Sequence, residues 1–224
     1  MKNITGFLFA ALCSMTLVAC ANSAADIKTA KQARQSGDYE TAKEHLEPMA
    51  EFGLPEAQVE LARVLLANKR APKADLERAR LLLETAASKE YARAHFDLGK
   101  LYERGRGVRR NYETAKTHYQ TAYDLGYERG LFYVGRMLEK QKKYKAAEEV
   151  YIRTYNGKYY KAAKSIAVLY EKGRGHKRDL VTALSWYIAA QRQGVSGLEK
   201  KIAKLERILG PKRTAKAKEI SEGR

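Results

Sequence analysis

The sequence predicts an all-α fold, a right-handed α-solenoid of about five helix–turn–helix repeats with a C-terminal capping helix. Two observations predict it. First, Ala42, Ala79, Ala115, Ala147 and Ala183 are spaced by 37, 36, 32 and 36 residues. The small residues Ala62, Gly99, Gly135, Ala167 and Ala203 repeat the same series. Two anchors drifting in step mark an internal repeat, and repeats of this length are helical hairpins that bury their apolar faces by stacking. Second, apolar residues recur at i, i+3 and i+4 and nothing alternates as a strand would.

The chain opens with Lys2 and an apolar run from Ile4 to Ala19, too short for a confident membrane span. The run ends in Leu17-Val18-Ala19-Cys20, followed by the polar stretch Ala21-Asn22-Ser23-Ala24-Ala25. This resembles the lipobox of bacterial lipoproteins, in which the cysteine is acylated and becomes the new N-terminus. The expected organisation is a signal peptide over 1–19, a lipidated tether over 20–26, the repeats over 27–197, and a capping helix with a basic tail over 198–224. Cleavage would remove Cys13, and lipid would occupy Cys20, so no disulfide is expected in the mature chain.

Each repeat reads as two helices, A and B. In Leu98–Gly105 and Ile166–Gly173 the apolar positions form one stripe, and Gly105 and Gly173 stand where a left-handed cap is needed. Helix B is expected to open at Asp38, Asp75, Asn111 and Asp179, each four residues before its anchor alanine. Lys143 takes that place in the fourth repeat and is a poor cap. Four residues past the alanine come Leu46, Leu83, Tyr119, Tyr151 and Tyr187, large side chains suited to face small ones. Gly53, Gly126 and Gly194 follow eleven residues past their alanines and are expected to end three of these helices.

The segments YERGRGVRRNYETA (Tyr102 to Ala115) and YEKGRGHKRDLVTA (Tyr170 to Ala183) match at an offset of 68 residues. A phosphate loop would lead a strand into a helix and carry a Lys-Ser/Thr pair. Here the glycines lie between the two helices of a hairpin and read as structural punctuation. The pattern A...LG.LY..GRGV...YETA...Y..A...G looks like the Sel1-like repeat, a subclass of the tetratricopeptide superfamily with a longer inter-helix loop. The third and fifth repeats carry it best, through Gly99, Tyr102, Gly105, Gly107, Ala115 and Gly126, and through Ala167, Tyr170, Gly173, Gly175, Ala183 and Gly194. The second matches partially, and the first and fourth look like plain tetratricopeptide hairpins. The resemblance implies a partner-binding α-solenoid. It extends to envelope lipoproteins that assemble exopolysaccharide secretion complexes, such as the alginate-assembly lipoproteins. Beyond the repeats, Leu198, Ile202, Leu205 and Leu209 suit a capping helix, and the tail after Pro211 reads either as a short helix or as unstructured.

The formal charge is +17, or +16 once Lys2 leaves with the signal. So basic a chain attracts anions. An envelope location points to acidic polysaccharide, lipid head groups or wall polymers and away from nucleic acid. Candidate contacts to such a partner are Arg106, Arg109, Arg110, Arg174, Lys177 and Arg178 in the two loops, with Tyr155, Lys158, Tyr159 and Tyr160 in TYNGKYYKAA. The bland alternative for these tyrosines is packing between repeats. His45 and His118 share a repeat position and do not suggest a ligand set, and no catalytic constellation stands out. No cofactor, metal or enzymatic activity is expected. The expectation is a scaffold for an envelope protein, palmitoylated or similarly acylated at Cys20 and facing the periplasm from the outer membrane. The second reading is a module that binds an anionic glycan.

Overall fold

The computed structural model describes residues 24–224, so the signal segment and Cys20 lie outside the described residues. The described residues form helices and no strand. Two compact units divide them between Arg109 and Arg110, within the loop of the third repeat. Unit 1 contains α1 (24–36), α2 (Tyr39–Glu51), α3 (Pro55–Leu65), α4 (Lys73–Ala87) and α5 (Ala92–Arg104). Unit 2 contains α6 (Tyr112–Asp124), α7 (Arg129–Lys140), α8 (Tyr144–Asn156), α9 (Lys161–Lys172), α10 (Leu180–Arg192) and α11 (Glu199–Glu222). Helix α1 already runs through residues 24–26, inside the segment expected as tether. No described helix is long and apolar enough to cross a membrane.

Within each unit consecutive helices pack against one another and share one apolar core. The anchors Ala42, Ala79, Ala115, Ala147 and Ala183 are fully buried, as are Leu46, Leu83, Tyr119 and Tyr151 four residues on. The absent side chains set the helix spacing. A Cβ on Gly135 of α7 would lie 2.6 Å from the Tyr151 ring of α8. A Cβ on Gly130 would run into the Tyr119 carbonyl of α6 and lie 2.8 Å from the Tyr123 nitrogen. Here the two backbones touch.

The caps follow the sequence with one correction. Asp38, Asn111 and Asp179 accept first-turn N–H groups, while Lys143 makes no side-chain cap. Asp75 is not the N-cap of α4. Pro72 holds that place, because its fixed φ starts the helix a turn earlier, and Asp75 falls inside the first turn near the positive end of the dipole. Gly53, Gly126 and Gly194 each adopt positive φ one residue past a C-cap. At the matching positions of the second and fourth repeats, Glu90 (φ 56°) and Lys158 (φ 68°) take the same conformation with a side chain attached.

Helix α11 differs from a simple cap. Gly210 (φ 72°, ψ 173°) divides it into two arms. The first arm buries Ile202, Leu205 and Leu209, and Ala203 is exposed, against its expected role as a packing anchor. The chain turns away at Gly210, so no large B-helix side chain lands on Ala203. The second arm is the tail left open between helix and coil. It is helical, buries Ala217 and Ser221, and carries the Arg224 guanidinium to 3.8 Å from the Trp186 ring centroid.

Gly130→Ala should destabilise the protein by about 1–3 kcal/mol, because a backbone contact has no room to relax. Gly126→Ala, with nothing within 4 Å of the new Cβ, should cost only the left-handed strain of about 1 kcal/mol. Urea denaturation of the two variants checks the order. Burial by itself would raise the Asp179 pKa, but hydrogen bonds from Thr182 and Val181 outweigh it and hold the carboxyl below its usual range. The resulting stabilisation is complete above the ordinary aspartate value of about 3.9 and is lost as pH falls through the lower folded value. Asp179→Ala should therefore cost about 1 kcal/mol at neutral pH and progressively less in acid, read from denaturation midpoints against pH.

Candidate functional site

The two Gly-Arg-Gly loops fasten helices together. In unit 1, Gly105 caps α5 at φ 69°, and Gly107, also at φ 69°, lies so close to α4 that a Cβ would be 3.0 Å from Leu76 Cβ. Between them Arg106 donates from Nη1 to the Leu66 carbonyl and from Nη2 to the Asn68 carbonyl, both at 2.7 Å. The Leu66 carbonyl belongs to the C-cap of α3, where a helix leaves acceptors unpaired and partial negative charge, and Asn68 lies in the turn just beyond, its carbonyl also accepting from the Ala71 N–H. In unit 2, Gly173 caps α9 at φ 64°, and a Cβ on Gly175 would lie 2.9 Å from Tyr144 Cβ of α8. Arg174 pairs with Glu139 of α7 at 2.7 Å and lies over the Tyr144 ring. Each central arginine thus reaches back to the preceding A helix.

The candidate loop residues fall into different settings. Arg106 and Arg174 are committed within their units, and Arg178 donates to the Glu171 carbonyl at 3.1 Å. Arg110 lies over the Tyr112 ring. Arg109 and Lys177 are exposed. Tyr170 stacks on His176 at 3.9 Å, and burial with a hydrogen bond to Glu148 pushes its phenol up to about 12.

Tyrosines of the B helices form a second set of ties. Tyr151 donates to Glu139 at 3.1 Å, and Tyr187 donates to Glu171 at 2.8 Å. Burial and then the carboxylate raise both phenols above the ordinary tyrosine range. The other oxygen of each glutamate takes a cation from further along the chain, Arg174 of the next repeat for Glu139 and Lys201 of α11 for Glu171. Burial would raise the Glu171 carboxyl, but Lys201 and Tyr187 outweigh it and set it below the usual range. Glu139 therefore bridges two repeats, and Glu171 ties the last repeat to α11.

The A helices of the two units carry different electrostatics. In unit 1, buried Glu60 and Asp97 sit two residues before Ala62 and Gly99. Arg63 donates to both carboxylates at 2.7 and 2.6 Å, Lys100 pairs with Asp97 at 2.9 Å, and Arg34 and Arg93 approach Glu60. Burial works against the Arg63 cation, and Asp97 and Glu60 more than offset it. Sequence reasoning missed this network of buried carboxylates and bases. Its signal was an acid two residues before the anchor and a base one residue after it, in two successive repeats. In unit 2 the acid positions hold Tyr133 and Ser165 instead.

Unit 2 has a cleft of about 550 Å³ beside Ser165. Phe132 forms its aromatic wall with Tyr159, ring centroids 5.2 Å apart, and Lys158, Lys161 and Lys164 border it. No carboxylate lines it. The structure thus brings Lys158, Tyr159 and Tyr160 together at one recess. It removes Tyr155 from the candidates: that ring is 7 % exposed, packed edge-on against Trp186 and Tyr160, because it closes the core between α8 and α10. Lys161, already adjacent in the sequence, and Lys164 one helical turn on complete the recess with Phe132, which only the hairpin geometry brings in.

A model of the Sel1 repeat matches residues 55–91, 92–127 and 159–195. Three segments of the chain, just under half of its length, are thus similar to the Sel1 repeat. The first Sel1 match is the repeat in which Ala-Asn-Lys-Arg-Ala-Pro replaces the glycine loop. The α7–α8 hairpin, whose turn is only Gln141–Lys143, lies outside the Sel1 matches. Among solved structures, a Sel1 repeat protein from Oxalobacter formigenes superposes with a TM-score of 0.61 at 20 % identity, covering 83 % of this chain and 86 % of that one. Pseudomonas aeruginosa pilF gives 0.64 at 21 %, covering 88 % and 87 %. The protective antigen c5321 of uropathogenic Escherichia coli, with an SLR fold, gives 0.53 at 19 %, covering 90 % of this chain and 52 % of that one. At these identities the likeness is one of fold. No curated protein matches the sequence significantly.

Sel1 repeat proteins typically act as non-catalytic scaffolds for protein interaction. The Gly-Arg-Gly loops serve that architecture as clasps. Arg106→Ala should therefore lower stability by about 2 kcal/mol through two lost charge-assisted hydrogen bonds. Lys177→Ala should stay within about 0.5 kcal/mol. Thermal and urea unfolding of the two variants separates a clasp from an exposed contact residue.

Proposed function

We propose that this chain is a non-catalytic docking scaffold in a bacterial cell envelope, held on the membrane by lipid on Cys20 and facing the periplasm from the outer membrane. One observation carries the docking: the polar motifs of the hairpins are engaged in holding repeats together, while the cleft of unit 2 keeps three lysines and an aromatic wall with no carboxylate lining it. Rigid stacked helices present such a surface with little ordering cost. The anchor rests on Leu17-Val18-Ala19-Cys20 and its short apolar leader. A cysteine carrying two or more acyl chains holds a protein stably on a bilayer, at about 0.8 kcal/mol per buried CH₂. The setting of exopolysaccharide export rests on the resemblance of the repeats to envelope assembly lipoproteins, which is analogy at the level of family.

A second reading is favoured by the same cleft: tyrosines beside lysines could hold an anionic glycan. Salt separates the two, because exposed charge contacts are screened while an apolar interface core is not.

The test is crosslinking in the native envelope, detergent extraction and a high-salt wash, with Cys20→Ala run in parallel. The scaffold predicts one envelope protein retained through the wash by both versions, and membrane release of the Cys20→Ala chain. Acidic glycan recovered only at low salt, with no retained protein, would replace docking by glycan binding. A Cys20→Ala chain that stays on the membrane would remove the lipid anchor.

A further inference from the structure

The cleft of unit 2 sits at the N-terminal ends of α7 and α9, between the turn that carries Lys158 and the turn at Gln193–Ser196. Three features there run against local preference. Lys158 holds φ 68° at the position where three other repeats place glycine and the second places Glu90, a strained conformation for a residue with a side chain. Lys161 and Lys164 occupy the first turn of α9, where the helix dipole disfavours cations, and that turn has no acid. Ser165 stands where unit 1 places a buried carboxylate that neutralises its neighbours. Sequences that break local rules in one place do so most often for function.

From this geometry we infer that the cleft is the docking site for an acidic segment of a partner protein, an apolar side chain flanked by Asp or Glu. The inference rests on the scaffold reading and assigns its binding surface. Charge complementarity selects the acid: the three lysines border a recess with no lining carboxylate, beside the positive end of α9. The wall selects a polypeptide over a sugar. Phe132 is already packed by Tyr133, Tyr151 and Tyr159, with centroids 5.7, 5.6 and 5.2 Å away. Together with Val195 it offers a compact apolar patch suited to one aliphatic or aromatic side chain, where stacking on a sugar needs an open ring face.

The test uses the full chain with its lipid site replaced (Cys20→Ala), panned against a random dodecapeptide library. Enriched peptides should place at least two acidic residues around one large apolar residue. The triple variant Lys158→Glu, Lys161→Glu, Lys164→Glu should weaken their binding at least tenfold by fluorescence anisotropy. The charge-matched Lys69→Glu, Arg70→Glu, Lys73→Glu variant in unit 1 should change it less than threefold. All the altered side chains are exposed, and circular dichroism confirms that each variant folds. Enriched peptides without an acidic excess, or equal binding by the triple variant, would overturn the inference. An oligouronate that binds through the three lysines where no peptide does would assign the cleft to a glycan instead. In the envelope crosslinking, a partner retained by the triple variant would sink this site and leave the scaffold standing. Absence of any retained partner with the unaltered chain would sink the scaffold, and the peptide panning would still decide the cleft.

Discussion

The structure depends on close approach between paired helices, and small residues make that approach possible. Gly135 has no side chain under the Tyr151 ring, Gly130 lets α7 touch the backbone of α6, and the anchor alanines are fully buried at the same register in every repeat. Once the helices are this close, the long side chains of one can reach polar groups on the next. Tyr151 and Tyr187 then find Glu139 and Glu171, and Arg106 finds the end of α3. Small-on-large packing sets the distance, and the hydrogen bonds use it. A buried phenol without a partner would be costly, and Tyr151 and Tyr187 each have a carboxylate acceptor one helix away.

Much of this was legible in the sequence. The anchors gave the hairpins, the positions of Gly53, Gly126 and Gly194 gave their ends, and the doubled Gly-Arg-Gly gave the long turns. Two kinds of feature were not legible. Asp75 looked like a cap by spacing, yet Pro72 started α4 sooner, since fixed backbone geometry acts before a side chain can choose its donor. Ala203 matched the anchor series but lies in an arm whose continuation turns away at Gly210. A periodicity reports register and cannot say whether a covering helix follows.

The candidate site was half legible. TYNGKYYKAA drew attention because aromatics and cations alternate there, and the structure divides it into a core residue, Tyr155, and a recess edge, Lys158 to Tyr160. Phe132 and Val195 could not be assigned from spacing, as they come from other repeats. The basic loops divide for a physical reason. An arginine next to a helix end finds carbonyls or a carboxylate within reach, so positive charge in a turn is often answered at home. The informative cations are those beside which the expected acid is missing.

The two bridging glutamates also fix how unit 2 can come apart. Glu139 joins its own tyrosine to Arg174 one repeat on, and Glu171 joins its own to Lys201 in α11. Each tie spans one step along the chain and none spans two. Cooperativity of this kind is linear, like a zip fastener, with no single keystone. Loss of one tooth leaves the others closed, so no single contact holds unit 2 together.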